Sequence, residues 1–91
     1  MNVIIVGAGK VGYTLAQYLS IDGDNITIID KKDCALEHVN NNLDVMCVKG
    51  NATSLKVLEE AGVREADLLI SVTDSDELNM LCSLAAKKLG A

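Results

Sequence analysis

The sequence predicts an α/β fold with a doubly wound parallel sheet, built from four β-α units. Two observations indicate this fold. Short β-branched runs alternate with segments whose apolar residues have helical spacing, and those segments are long enough to connect parallel strands. A glycine-rich turn also lies between the first strand and the first helix, as in Rossmann-like folds. Because such connections are right-handed, few topologies are possible, and we expect the strand order 3-2-1-4.

The first half of the chain contains two strand–helix pairs. Asn2 to Val6 is almost continuously apolar, which is typical of a strand buried on both faces. The following helix is expected over Lys10 to Ser20. After a turn at residues 22–25, the second strand is Ile26 to Ile29 and the second helix runs from about Lys32 to Asn41. The apolar positions that predict these two helices are Val11, Leu15, Tyr18 and Leu19 in the first, and Leu36 and Val39 in the second.

The second half repeats this pattern twice. The third strand is expected over Asp44 to Val48 and the third helix over Ser54 to Ala61. Gly62 follows, where a left-handed helix end favours glycine. The fourth strand is expected over Ala66 to Val72 and the last helix over Asp76 to Leu89. With no tandem repeat and no linker in between, we expect one domain over residues 1–91.

Length and charge exclude several classes of protein. A chain of 91 residues is too small for a cofactor domain plus a substrate domain. Thirteen acidic and eight basic residues leave a net charge of −5, so neither nucleic acid nor an anionic membrane surface is an expected partner. The N-terminal apolar run is too short for a secretory signal or a membrane span. The sequence therefore predicts a cytoplasmic domain without direct membrane insertion.

Cysteine and histidine usage predicts neither a metal site nor a disulfide framework. The three cysteines, Cys34, Cys47 and Cys82, are widely spaced and form no C-x-x-C pair. We expect buried or half-buried thiols, because a free cysteine behaves as a small hydrophobic residue. The single histidine, His38, lies in a polar helical stretch and is expected to be solvated. We identify no set of catalytic residues, so no enzymatic activity is expected.

The turn after the first strand reads G-A-G-K-V-G over residues 7–12, which matches the G-x-G-x-x-G fingerprint of dinucleotide-binding folds. In that fingerprint, Gly7 permits the tight turn, Gly9 lets the main chain approach a pyrophosphate, and Gly12 lets the helix pack closely against the strand. N–H groups and the dipole at the start of the helix favour phosphate. The negative net charge is therefore no obstacle, because the site needs no basic side chain.

An acidic residue supports this interpretation of the glycine turn. Asp30 lies 18 residues after Gly12, at the end of the second strand, where a carboxylate can accept from both ribose hydroxyls. The alternative is structural, with Asp30 as the N-cap of the second helix and Asp33 in its first turn. A carboxylate at this place repels a 2′-phosphate, which disfavours NADP, although Lys31 and Lys32 lie next to it.

Two further strand ends are expected at the same edge of the sheet, where ligands bind in open α/β folds. The third strand is followed by K-G-N-A-T over residues 49–53, which are small or polar and suit an adenine and its ribose. The fourth is followed by T-D-S-D over residues 73–76. The structural alternative is helix capping, by Thr53 or Ser54 for the third helix and by Ser75 for the fourth.

These motifs together resemble a known family. They are G-A-G-K-V-G at 7–12, I-D at 29–30, V-K-G-N-A-T at 48–53, L-E-E-A-G-V at 58–63, A-D at 66–67 and V-T-D-S-D-E-L-N at 72–79. Over essentially the whole chain, the sequence resembles the N-terminal nucleotide-binding domain of Trk-type potassium uptake regulators, the KTN or RCK N-terminal (TrkA-like) family. One departure is Asn51, where the family more often has Asp; this keeps an acceptor but loses a charge.

The resemblance implies a regulatory domain rather than an enzyme, with NAD(H) as its ligand, or ATP or ADP instead. It also implies homodimers or higher oligomers, located in the cytoplasm on a membrane potassium transporter or channel whose activity the ligand would change. The implied diphosphate contacts are Gly7, Ala8, Gly9, Lys10, Val11 and Gly12. The remaining implied contacts are Asp30 and Lys31 at the ribose, Gly50, Asn51 and Ala52 at the adenine, and Thr73 and Asp74 near the diphosphate or nicotinamide.

Two other functions remain open from the sequence alone. One is the cofactor-binding piece of an NAD-dependent dehydrogenase, which would need a catalytic domain and an acid-base group that are not recognised here. The other is a structural dimerisation domain with a vestigial site. The fourth strand bears on oligomerisation, because Leu68 to Val72 would form a sheet edge without a protecting charge or proline. We therefore expect an incomplete sheet, continued by more chain or completed by a partner.

Overall fold

The computed structural model describes residues 1–73. None of the helices in this range is long and apolar enough to cross a membrane. The predicted last helix, Asp76 to Leu89, lies outside the described residues. The elements are β1 (Asn2–Val6), α1 (Lys10–Ile21), β2 (Asn25–Asp30), α2 (Asp33–Asn42), β3 (Met46–Lys49), α3 (Leu55–Glu60), a 3₁₀ turn (Val63–Glu65) and β4 (Leu68–Ser71).

The four strands form one parallel sheet in the order β3-β2-β1-β4, which confirms the predicted topology. Ile5 in the middle of β1 lies opposite Ile28 of β2 and Ile70 of β4. Ile5 and Ile28 are both fully buried. The prediction that β1 is buried on both faces is therefore confirmed, and this burial explains its continuous apolar run.

Two apolar layers cover the sheet, one on each face. Alternate residues of β1 point to opposite layers, as the period of a strand requires. Helices α1 and α2 pack on one face, and α3 with the 3₁₀ turn packs on the other. The first layer contains Val3, Ile5, Ala16, Ile26, Ile28, Leu36 and Val39, and the second contains Ile4, Val6, Ile29, Ala52, Leu58, Ala61 and Val63.

Most elements differ from their predicted bounds by one or two residues, and α3 shows why. Its N-cap is Ser54, whose hydroxyl accepts a 3.4 Å hydrogen bond from the main-chain N–H of Val57. The helix proper therefore begins at Leu55 rather than at Ser54. Gly62 has φ +84° and ends the helical segment, as predicted. The 3₁₀ turn that follows was not predicted, because three residues are too few for periodicity to show.

Helix α1 buries only part of the apolar surface that its large residues suggest. Val11 and Tyr18 are 59% and 69% exposed, whereas Gly12 and Ala16 are buried. Leu15 and Leu19 are half-buried. At Gly12 the helix lies too close to the turn after β1 for any side chain, whereas Tyr13, Leu15 and Leu19 pack against the first apolar layer. In α2, by contrast, Leu36 and Val39 face the core as predicted.

The fourth strand lies at an edge of the sheet. Within the described residues, β4 pairs only with β1, and Leu68 is 43% exposed. The predicted strand, Ala66 to Val72, is shorter in the structure because the ladder with β1 begins at the pair Val3–Leu68 and ends at Ser71. The sequence therefore identified the edge position correctly, and the apolar character of this edge persists in the fold.

The predicted burial or exposure of the cysteines and of the histidine is confirmed at some positions and not at others. Cys34 is exposed on the first turn of α2, so the prediction of a buried or half-buried thiol was wrong there, because Cys34 lies on the side of the helix opposite the buried Leu36 and Val39. Cys47 is half-buried as predicted, and burial raises the pKa of its thiol. Cys82 lies outside the described residues. His38 is exposed as predicted, and its ring stacks on Tyr13 of α1 with 4.9 Å between the ring centroids.

Candidate functional site

The carboxyl ends of the four strands surround one cleft of about 320 Å³. This volume lies at the lower end of the usual range for ligand pockets, roughly 300–1,000 Å³. Open parallel sheets bind ligands at this edge, where loops leave the strands and helices begin. The lining residues are Val6, Gly7, Gly9, Ile29, Asp30, Lys31, Lys32, Gly50, Asn51, Ala52, Val72 and Thr73.

The turn after β1 is held in a conformation that requires glycine. Gly7 has φ +108°, which side chains rarely adopt, and its N–H donates a 2.8 Å hydrogen bond to the carbonyl oxygen of Ile29. A Cβ at Gly12 would overlap the carbonyl oxygen of Gly7. Both glycines are buried. They therefore shape the turn and let α1 pack against it, in the roles that the fingerprint predicts.

Gly9 differs from these two glycines, because the protein itself does not require it. It has φ −72°, an ordinary value for any residue, and among residues 1–73, its chain neighbours aside, no heavy atom lies within 4 Å of the place that a Cβ would take. Gly9 is also the N-cap of α1, and no side chain caps the helix there. The first-turn amides of α1 therefore border an open space beside the cleft, which suits a phosphate group.

Asp30 lies at the end of β2 and is half-buried. Its Oδ2 accepts a 2.8 Å hydrogen bond from the main-chain N–H of Ala8, and its Oδ1 accepts a 2.9 Å hydrogen bond from the main-chain N–H of Lys32. Asp30 is not the N-cap of α2, because that position belongs to Lys32. Each carboxylate oxygen can accept a second hydrogen bond, so the group retains capacity for a vicinal diol such as that of ribose.

The loop after β3 combines structural and binding features. Ala52 is buried against the second apolar layer, while Asn51 is exposed at the rim of the cleft. The Asn51 side chain accepts at Oδ1 from the N–H of Thr53 at 3.0 Å and from the Thr53 hydroxyl at 2.8 Å. The capping interpretation is thus confirmed for Ser54, whereas Thr53 bonds to Asn51 instead. The loop after β3 therefore both caps α3 and lines the cleft.

The end of β4 closes the cleft on the other side of the glycine turn. The N–H of Val72 donates a 2.9 Å hydrogen bond to the carbonyl oxygen of Val6, which continues the ladder past the last paired residues. The carbonyl oxygen of Val72 lies 3.1 Å from the place that a Cβ would take at Gly7. Thr73 also lines the cleft. Asp74 and Ser75 lie outside the described residues.

The structure brings most of the predicted site residues to the cleft. Those that line it are Gly7, Gly9, Asp30, Lys31, Gly50, Asn51, Ala52 and Thr73. Ala8 and Gly12 are buried within the turn, and Lys10 and Val11 are exposed; none of these four lines the cleft. The prediction did not assign Val6, Ile29, Lys32 and Val72 to the site. Three of these, Val6, Ile29 and Val72, are apolar residues within one position of a strand end, and that position places them at the edge of the sheet.

A Rossmann-like sheet with a glycine turn, open helix amides and an adjacent carboxylate defines the class of nucleotide-binding folds. Solved structures agree on the fold. The NAD(P)-binding domain of an exopolyphosphatase-related protein from Archaeoglobus fulgidus superposes with a TM-score of 0.85 at 17% identity, over 97% of this chain and 65% of the other. A Kef CTD from Shewanella denitrificans, solved in an AMP-bound form, superposes with a TM-score of 0.81 at 27% identity. The match covers 97% of this chain and 52% of the Kef chain.

Sequence comparison identifies the family within this class. The family model of the TrkA-N domain matches residues 3–91, so the chain belongs to the TrkA-N domain family. The Trk system potassium uptake protein TrkA homolog of Archaeoglobus fulgidus is 48% identical over 91 residues, which cover all of this chain and 20% of that protein. The TrkA homolog of Methanothermobacter thermautotrophicus is 36% identical over 88 residues, which cover 97% of this chain and 41% of that protein. The chain thus spans about a fifth to two fifths of the length of these relatives.

Proposed function

We propose that residues 1–91 form a nucleotide-binding regulatory domain that binds NAD(H), or ATP or ADP instead, and regulates potassium uptake. The observation that carries this proposal is the juxtaposition of Asp30 with the glycine turn at one cleft, where Ala8 and Asp30 are hydrogen-bonded. Two comparisons support it. The relatives at 36–48% identity are named as potassium uptake proteins, and the Kef CTD was solved with AMP.

The proposed ligand contacts follow the order of the strand ends. The diphosphate would lie at Gly9 and the first-turn amides of α1, in the space that a Cβ at Gly9 would fill. Asp30 would accept from the ribose hydroxyls, with Lys31 beside it. Gly50, Asn51 and Ala52 would flank the base, and Thr73 and Asp74 would lie beyond the diphosphate. In this proposal the cleft recognises the charge and shape of the nucleotide, and the nucleotide undergoes no reaction.

The proposed role of the ligand is to shift an equilibrium rather than to react. A nucleotide that binds two arrangements of the protein with different affinity stabilises the arrangement that it binds more tightly. We propose that these arrangements belong to homodimers or larger assemblies of the domain, in the cytoplasm and in contact with a membrane potassium transporter. The exposed apolar edge at Leu68 is a surface that such an assembly or a continuing sheet would cover.

The nucleotide part of the proposal is tested by calorimetric titration with NADH, NAD, ATP and ADP. The informative variant is Gly9→Ala, because the added methyl enters the open space at the start of α1, where it meets no side chain or main-chain atom from elsewhere in residues 1–73. We expect it to weaken binding at least tenfold. Gln17→Ala, at an exposed position of the same helix, is the matched control and should bind as the parent does. Absence of binding to all four nucleotides, or unchanged affinity in Gly9→Ala, contradicts the proposal.

The regulatory part needs a transport measurement. Potassium uptake is followed in cells that express the full-length protein with either the parent sequence or Gly9→Leu, at matched protein levels. A larger side chain at Gly9 should abolish the nucleotide response of uptake, because the phosphate space is filled. Uptake that is normal and still responds to nucleotide in Gly9→Leu counts against a regulatory role for this cleft.

A further inference from the structure

We infer that two copies of this chain pair through the outer face of helix α1, with the two helices antiparallel. The outer face consists of Val11, Thr14, Tyr18 and Ile21. The inference rests on the proposed function, because it names one surface of the assemblies proposed there. All four residues are exposed, and the three apolar ones, Val11, Tyr18 and Ile21, are 59%, 69% and 77% exposed. The packing of α1 on the sheet therefore leaves this face uncovered.

The outer face lacks the charges that an exposed helix face usually carries. From Val11 to Ile21, α1 contains no charged residue, although 23% of the whole chain is charged. The hydroxyl of Thr14 donates a 2.9 Å hydrogen bond to the carbonyl oxygen of Lys10, so its donor is already satisfied inside the helix. An exposed apolar stripe with an aromatic residue and no charge is typical of the centre of a protein interface.

The spacing of these residues indicates that the partner is another helix. Along α1 the outer face advances by three, four and three residues, an average close to the roughly 3.5-residue period at which two helices pack along their lengths. Helices that pack in this way cross at about 20°. The twelve residues of α1 span about 18 Å, so the seam can extend over the whole helix.

A second copy of the same face fits it in one antiparallel register. That register, in which all four residues meet a counterpart, places Val11 opposite Ile21 of the second copy. Thr14 then lies opposite Tyr18 of the second copy, so that a small side chain meets a large one. Both contacts occur twice, because in a two-fold symmetric pair the same patch of each copy contacts the other.

Charges at the two ends of α1 identify a second copy as the partner. In the same register, Lys10 at the start of α1 lies beside Asp22 of the second copy, which directly follows the end of that helix. Both residues are exposed, and among residues 1–73 neither forms an ion pair. A parallel arrangement would instead place like charges together. Because rim charges act on orientation more than on affinity, these two symmetric ion pairs favour the antiparallel register.

Sedimentation equilibrium of residues 1–91, without added nucleotide, measures the pairing. One short helix from each copy buries less than the roughly 800 Å² per partner of a standard interface, so we expect a reversible dimer with a Kd on the order of 10 μM. Tyr18→Ala removes the largest side chain of the outer face and should raise the Kd at least tenfold. The matched control is Leu55→Ala, which shortens a 45% exposed apolar side chain on α3 and should leave the Kd within about twofold.

Charge reversal tests the register. Lys10→Glu and Asp22→Lys should each raise the Kd about fivefold, because each places like charges at both ends of the seam. The double variant has the net charge of the parent and should restore the parent Kd within about twofold. Both substitutions suit the helix dipole, so the variants should fold. The controls are Lys56→Glu and Asp44→Lys, which make the same charge changes at exposed positions outside α1 and should have less effect than their counterparts.

Three results would overturn the inference. One is a parent protein that stays monomeric up to about 500 μM, as expected if another segment or another protein covers this face. The second is a dimer that Tyr18→Ala weakens no more than Leu55→Ala does, since pairing would then use a different surface. The third is a double charge variant that does not recover. Failure of the nucleotide cleft is distinguishable from all three, because it is seen as absent binding in the titration with NADH, NAD, ATP and ADP.

Discussion

The main-chain N–H of Ala8 donates a 2.8 Å hydrogen bond to Oδ2 of Asp30. This bond joins the glycine turn after β1 to the end of β2, two segments separated by more than twenty residues. The second oxygen of the same carboxylate accepts from Lys32 at the start of α2. Asp30 therefore helps to shape the ligand-free turn, in addition to the ribose contact that we propose for it.

Removal of this carboxylate should affect both stability and binding. In Asp30→Ala, the N–H groups of Ala8 and Lys32 lose their acceptor, which should lower the free energy of unfolding by about 1–2 kcal/mol. Nucleotide affinity should fall at least tenfold, because the ribose loses its acceptor as well. Urea unfolding and calorimetry measure the two effects. The control is Asp33→Ala, which removes an exposed ion pair with Lys49 and an acidic side chain from the first turn of α2, and should cost about 1 kcal/mol or less.

Gly9 and Gly12 of the fingerprint should respond differently to alanine. Gly12→Ala should lower the free energy of unfolding by about 3 kcal/mol, because its methyl overlaps the carbonyl oxygen of Gly7 and must push α1 away from the turn. Gly9→Ala should change it by less than about 0.5 kcal/mol, since the added methyl meets open space. Urea unfolding followed by circular dichroism distinguishes them. Equal stability of the two variants would contradict the close packing assigned to Gly12.

Helix α3 offers a matched pair of leucines. Leu58 is fully buried, whereas Leu55, one turn earlier in the same helix, is 45% exposed. Leu58→Ala should lower the free energy of unfolding by about 2–5 kcal/mol, because a buried side chain is lost and a cavity remains. Leu55→Ala should cost about 1 kcal/mol or less. Denaturant titration measures both, and similar losses at the two positions would be inconsistent with the described packing of α3.

The described cysteines should differ in their reactivity toward an alkylating reagent. Only the thiolate reacts, and burial both restricts access to Cys47 and raises the pKa of its thiol. The raised pKa means that less thiolate is present at a given pH, so Cys47 should require a more alkaline solution than an unperturbed thiol. Cys34 is exposed and should be labelled first. Peptide mapping after timed iodoacetamide treatment follows each site, and labelling of Cys47 as rapidly as Cys34 would oppose this assignment.

Much of the fold could be predicted because it depends on local patterns. The continuous apolar run of β1 requires a strand that is covered on both faces, and right-handed connections then restrict the order of its neighbours. Gly7 and Gly12 could be assigned their roles because the turn sequence specifies both the positive φ and the close packing. Asp30 could be placed because the end of β2 was predicted within one residue.

Other features could not be read from local patterns. The exposure of Val11 and Tyr18 depends on which side of α1 faces the sheet, which the spacing of apolar residues did not settle. Lys32 lines the cleft and is the N-cap of α2, whereas the sequence placed Lys32 at the start of the helix and offered Asp30 as a cap only as an alternative. The exposure of Cys34 depends likewise on the rotation of α2 about its axis. These features depend on how the helices are placed and rotated against the sheet, whereas the local pattern predicts only which segments form helices and strands.

The sequence by itself determined the strand order, the glycine turn and the acidic residue beside it, because turn conformation and strand burial act over a few neighbouring residues. The tertiary structure alone decided which atoms meet. The amide of Ala8 reaches Asp30 only after β1 and β2 pair in register, and the amide of Asn51 is oriented only when the loop brings Thr53 to its oxygen. A hydrogen bond depends on distance and angle within a few tenths of an ångström, which folded packing sets.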